Sequence, residues 1–197
     1  GSLIGFGLGV MVSDVNNDLY PDIYVSNDFY ERDYLYINNQ DGTFTEEIEN
    51  WTQHLCLSAM GVDMADINND GFSDLLIYIP ATNSYSFYQR NTDSKGLPDE
   101  GFTLKANFPN FDFSDTALDM SLKSAIAISD INGDGTPDLY HRALAMWIEL
   151  EYTESGLITK QHNLNINPET VTAIRTGKVS IWLDSNADGL LDIMTLK

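Results

Sequence analysis

Cysteine is almost absent. Cys56 stands alone in 197 residues, which excludes an internal disulfide and any cysteine-based zinc cluster and leaves a small buried hydrophobe as its reading. Basic residues are scarce and scattered: 10 Lys plus Arg stand against 30 Asp plus Glu, a formal net charge of −20. A nucleic-acid partner needs clustered cations to displace counterions from phosphate, so this balance excludes nucleic acid and anionic membranes. No apolar run approaches the ~18 residues of a membrane span, so membrane insertion is not expected. No signal peptide is visible, and Gly1-Ser2 reads as a cloning scar that replaces the natural start. With 43% hydrophobic residues the chain can bury a core, and its acidity does not signal disorder.

The acidic residues are concentrated. Four segments share the pattern D-x-N-x-D-x-x-x-D: 14–22 (DVNNDLYPD), 66–74 (DINNDGFSD), 130–138 (DINGDGTPD) and 184–192 (DSNADGLLD). Their starts lie 52, 64 and 54 residues apart, and they hold 12 of the 30 acidic residues, three per copy. Such a period indicates a repeat architecture. Each copy follows a short stretch of small and apolar residues (7–13, 59–65, 124–129, 178–183) and precedes an apolar, β-branched one (23–25, 75–79, 139–140, 191–194). Both flanks read as strands, so each acidic loop joins a hairpin. Two further strands follow in each full unit: 34–37 and 43–45 around the turn Gln40-Asp41-Gly42, then 85–89 and 102–105, then 147–152 and 157–160.

Four strands per unit is the signature of a β-propeller blade. The fold expected is all-β, with about three and a half blades of four antiparallel strands. Blade 1 spans 1–50, blade 2 51–106, a linker and blade 3 107–166, and the first half of blade 4 167–197. Propellers have about four to eight blades, so the chain reads as part of a larger propeller, completed by further blades of a parent protein or by another chain. The small residues before each loop suit an innermost strand, where blades crowd. Residues 107–120 read as a long inter-blade connection.

The loop chemistry points to Ca²⁺, a hard cation that takes six to eight oxygens. Side chains at positions 1, 3, 5 and 9 and the backbone carbonyl at position 7 supply them. The expected ligands are Asp14, Asn16, Asp18, Tyr20 and Asp22; Asp66, Asn68, Asp70, Phe72 and Asp74; Asp130, Asn132, Asp134, Thr136 and Asp138; and Asp184, Asn186, Asp188, Leu190 and Asp192. Up to four ions would bring the formal charge from −20 to about −12. Glycine at position 6 permits the sharp turn; Leu19 departs from it and marks the first loop as the weakest. EF-hands are excluded, because position 12 is Val25, Ile77, His141 or Thr195 rather than glutamate, and the flanks are strands.

Residues 7–18 (GLGVMVSDVNND), 21–29 (PDIYVSNDF), 33–44 (DYLYINNQDGTF) and 60–71 (MGVDMADINNDG) resemble the VCBS/FG-GAP repeat propellers of the ASPIC/UnbV type, which have integrin-α-like calcium loops. The resemblance is close over 5–79 and weaker at the later loops. It implies a secreted, cell-surface or periplasmic protein with Ca²⁺ at each loop, and no particular activity, since such repeats serve adhesion, carbohydrate binding and enzymes alike.

The remaining candidates are thinner. His54, His141 and His162 lack metal-ligand spacing. Trp51, Trp147 and Trp182 suit blade packing. Tyr24, Tyr30, Tyr34 and Tyr36 with Arg32 form the best candidate surface for a protein or carbohydrate partner, although core packing explains them too. Glu31 and Asp33 resemble a carboxylate pair only by adjacency. Residues 26–34, 91–101 and 107–120 are the longest loops. The function expected is a non-catalytic extracellular calcium-binding module for recognition or scaffolding. The alternative is part of a Ca²⁺-dependent enzyme such as a polysaccharide lyase, which the scarcity of Lys and Arg disfavours.

Overall fold

The computed structural model describes residues 7–28, 31–52, 59, 61–79, 84–109, 126–141, 145–153, 156–164, 169, 179–183, 185–187 and 192–196. The chain divides into two compact units, Gly1–Asn110 and Phe111–Lys197.

The first unit holds two four-stranded antiparallel sheets, each in sequential order. Blade 1 is β1 (Gly7–Ser13), β2 (Asp22–Asn27), β3 (Tyr34–Asn38) and β4 (Phe44–Glu46). Blade 2 is β5 (Gly61–Ala65), β6 (Asp74–Ile79), β7 (Ser84–Thr92) and β8 (Pro98–Pro109). A single helical turn, α1 (Ile48–Trp51), links them. The second unit holds a third four-stranded sheet, β9 (Ile126–Ser129), β10 (Asp138–His141), β11 (Met146–Thr153) and β12 (Gly156–Asn163), and a hairpin of β13 (Val179–Leu183) and β14 (Asp192–Leu196). The expected all-β architecture of three four-stranded blades and half of a fourth is therefore present. The expected loops are shorter than the sequence suggests: β8 runs from Pro98 to Pro109, so residues 98–101 and 107–109 are strand, β7 reaches Thr92, and β2 and β3 take residues 26–27 and 34. The rest of 107–120 lies outside the described residues.

Strand alternation gives each blade two unlike faces. In blade 1, Met11 pairs with Tyr24 and Tyr24 with Leu35 on one face; Val10 pairs with Val25, and Val12 with Ile23, on the other. The Tyr24 face packs against blade 2, where Val62, Met64, Leu75, Ile77 and Tyr88 join Val15, Tyr24 and Leu35 in one core. Counting from the loop starts, Val62, Met64, Leu75 and Ile77 are the blade 2 counterparts of Val10, Val12, Ile23 and Val25. The second unit repeats the arrangement: Tyr140, the counterpart of Tyr24, packs with Ile193, the counterpart of Ile23. Within each unit, the earlier blade thus turns its Tyr24-type face to the Ile23-type face of the next. On blade 1 the Ile23-type face is uncovered, with Leu8, Val10 and Val12 exposed by 52%, 67% and 58%.

Trp51 anchors the connection between the blades. The Arg90 guanidinium lies 4.3 Å from the centre of its ring and 5.6 Å from that of Phe102, and donates to the Gly101 carbonyl at 3.2 Å. Burial lowers the Arg90 pKa to about 10, a cost that these cation–π contacts offset in part.

Gly9 is where the innermost strands approach. A Cβ there would lie 2.6 Å from Ser26 Oγ and 3.3 Å from Val62 Cγ1. Gly9→Ala should therefore lower stability by about 1–3 kcal/mol through overpacking, measured as a fall in the urea midpoint at unchanged m-value. An unchanged midpoint would contradict the close approach.

Candidate metal loops

Each of the first three acidic loops is a ring of side-chain acceptors closed around backbone N–H donors. In the first loop Asp18 N and Leu19 N donate to the two oxygens of Asp14 at 3.0 and 2.8 Å. Asp18 N also donates to Asn16 Oδ1, Tyr20 N to Asp18 Oδ1 and Asn16 Nδ2 to Asp18 Oδ2. Val15 N donates to Asp22 Oδ2 at 2.8 Å. All six bonds recur at the equivalent positions of 66–74 and 130–138. In the fourth loop Ser185 N repeats the last of them, donating to Asp192 Oδ2 at 3.1 Å. Asp184, Asp188 and Leu190 lie outside the described residues.

Two backbone positions in each of the first three loops are left-handed. Position 6 has φ of 72° at Leu19, 92° at Gly71 and 86° at Gly135. Position 4 was not foreseen: φ is 63° at Asn17, 57° at Asn69, 76° at Gly133 and 59° at Ala187. Asparagine and glycine are the residues that adopt this conformation at low cost, so their recurrence at position 4 was the available signal. Nothing lies within 4 Å of a Cβ built on Gly71 or Gly135; backbone conformation, not space, selects glycine there.

The ninth-position aspartates of the first three loops are buried, while their other loop carboxylates are more exposed. Asp22, Asp74 and Asp138 are 0% exposed. Asp22 and Asp74 each reach a third strand: Asn38 N donates to Asp22 Oδ1 at 2.8 Å and Arg90 N to Asp74 Oδ1 at 2.9 Å. Position 9 therefore ties the loop's start to the sheet. Burial pushes the Asp74 carboxyl up to about 7 and Asp138 up to about 6, against N–H donors that favour the ionised form. Asp22 is raised for the same reason. The exposed carboxyls of Asp18 and Asp134 are lowered, chiefly by the N–H of Tyr20 and of Thr136.

Among the described residues, no three His, Cys, Asp or Glu side chains are gathered as an ion-holding cluster. Their oxygens turn to main-chain N–H groups instead. The donor set nevertheless fits a hard cation: three carboxylates, an amide oxygen and a backbone carbonyl per loop, with one buried oxygen, Asp138 Oδ1, taking no hydrogen bond. Ions would be held through positions 1, 3, 5, 7 and 9.

Residues 14–77 match the family model of the FG-GAP-like repeat. This segment is similar to an FG-GAP-like repeat. It spans the first two acidic loops, strands β2 to β5 and the start of β6. No curated protein matches the chain.

Outside the acidic loops, the structure redistributes the other candidates. Tyr24 is buried, and its hydroxyl donates to Asp33 Oδ2 at 2.8 Å. Asp33, itself buried, also accepts from Asn27 N, so it is an internal brace rather than half of a surface carboxylate pair. Tyr34 and Tyr36 lie on blade 1's uncovered face, with Arg32 5.2 Å from the Tyr34 ring and paired to Glu46 at 2.8 Å. Tyr30, His54 and Cys56 lie outside the described residues, as does the Trp182 side chain. His141 is buried. His162 stacks on Trp147 at 4.0 Å and contacts Glu149 at 2.8 Å.

Two outcomes follow. In chelator, thermal stability should fall as pH rises from about 4 to 7, because the native Asp74 carboxyl holds its proton to about 7 while the unfolded one loses it near 3.8. Midpoints flat across that range would reject buried neutral Asp74. Leu19 is 90% exposed and loses no packing when truncated, so Leu19→Gly should stabilise the chelated protein by about 1 kcal/mol, the left-handed penalty net of chain entropy. The check is its denaturation midpoint against wild type.

Proposed function

We propose that the chain is a calcium-stabilised set of propeller blades that serves recognition or scaffolding outside the cytoplasm and has no catalytic role of its own. One observation carries this: three loops separated by 52 and 64 residues of sequence build the same six-bond ring of carboxylate and amide oxygens. A mere solvated turn needs no third carboxylate held at position 9. The FG-GAP match over 14–77 supports the same reading. Calcium is plentiful outside cells, where modules of this kind bind at about 10⁻⁴–10⁻³ M, which favours a secreted, surface or periplasmic location. Among the described residues the histidines are engaged in packing, and exposed acidic and aromatic groups suit a protein or carbohydrate partner. The uncovered face of blade 1 suits a further blade of the same kind.

At about ten times Kd each site adds roughly 1.4 kcal/mol, and four add about 6 kcal/mol, comparable to the net stability of a domain. Adding 10 mM Ca²⁺ to chelated protein should raise the thermal midpoint by about 10 °C or more, with no comparable effect of Mg²⁺, which demands a smaller, stricter octahedron. A midpoint indifferent to Ca²⁺ would sink the proposal.

A further inference from the structure

The four loops look interchangeable in sequence, but their ninth-position aspartates are not equivalent. Asp22 and Asp74 each have both oxygens bonded to backbone N–H groups, one from position 2 and one from the third strand. Asp138 has only the first kind: Ile131 N at 2.9 Å and Asn132 N at 3.3 Å both donate to Oδ2. Its Oδ1 is buried and takes no hydrogen bond. The ladder offers a reason. In blade 3 the pairing of β10 with β11 includes Asp138 opposite Glu149, whereas in blades 1 and 2 it stops one residue short, at Ile23 opposite Tyr36 and Leu75 opposite Tyr88.

We infer that, of the loops at 14–22, 66–74 and 130–138, the last is the tightest calcium site and fills first, with Asp138 free to ligate, while Asp22 and Asp74 serve also as struts that hold their loops to the sheet. This rests on the calcium reading above. An oxygen without a donor can turn to a cation without giving up a hydrogen bond, and a buried carboxylate oxygen left unpaired destabilises the ion-free state. Both effects widen the free-energy gap between empty and filled. Backbone conformation acts in the same direction. The third loop has glycine at both left-handed positions, Gly133 and Gly135, where the second has Asn69 and Gly71 and the first Asn17 and Leu19. Its backbone adopts the ring without the left-handed penalty that Leu19 incurs. Among these three loops the filling order is third, second, first.

Calorimetric titration of the whole chain with CaCl₂ tests this, using one exposed ring member per loop: Asp18→Asn, Asp70→Asn and Asp134→Asn. The tightest phase should vanish, or weaken at least about tenfold, in Asp134→Asn alone. Survival of that phase in Asp134→Asn, or its loss in Asp70→Asn or Asp18→Asn, overturns the order. A second pair separates ligand from strut. Asp138→Asn should weaken the tightest phase yet leave the midpoint in chelator unchanged or raised, since it removes an unpaired buried charge. Asp74→Asn should lower the midpoint in chelator, because an amide cannot accept at both atoms. The reverse pattern rejects the division of roles. Absence of any calcium heat in the wild type refutes the calcium reading itself, a failure distinct from a wrong order.

Discussion

The bond on which the rest depends is the one from the second residue of each acidic loop to the carboxylate of the ninth. It is short, internal and present in all four loops: Val15 to Asp22, Ile67 to Asp74, Ile131 to Asp138 and Ser185 to Asp192. By closing the loop on itself it fixes where the following strand begins, since Asp22, Asp74, Asp138 and Asp192 are each the first residue of theirs. Strand start sets register, and register sets which side chains face the neighbouring blade. A slip of one residue would exchange Tyr24 for Ile23 on the packed face.

That constraint has a cost that the surroundings manage. A fully buried carboxylate is unfavourable unless hydrogen-bonded. Blades 1 and 2 meet the need with main-chain donors from a third strand, so the aspartate acts as a three-way junction among loop, second strand and third strand. The exposed acids of the same loops have the opposite environment: Asp18 accepts from Tyr20 N, Asn16 and Gln40 and remains readily ionised. One short motif therefore holds carboxylates of two kinds, and a single substitution rule for all of them would mislead.

Most of the strands were legible because alternation, β-branched content and the repeat agree, and because Gln40-Asp41-Gly42 is a strong turn signal that the structure honours with φ of 64° and 88° at Gln40 and Gly42. The ring of loop oxygens was legible as a set of positions. What was not legible depends on tertiary contacts. The third-strand donors Asn38 and Arg90 are backbone groups sixteen residues beyond their acceptors, and no side-chain pattern marks them. The Trp51–Arg90–Phe102 stack joins residues far apart in sequence, so Trp51 could be assigned to packing but not to a cation. Residue 24 shares an aromatic run with 34 and 36, yet strand alternation sends it to the buried face and its neighbours to the open one.

The two faces of a blade differ, and that difference gives the array a direction. Tyr24-type surfaces meet Ile23-type surfaces in both units, so a contact obeying this rule never brings a surface against its own copy. Association built on the open face of blade 1 is consequently heterologous: it cannot generate a two-fold dimer, and it ends only when rotation brings the last blade back to the first. Symmetry, rather than affinity, then limits how many blades such an assembly contains.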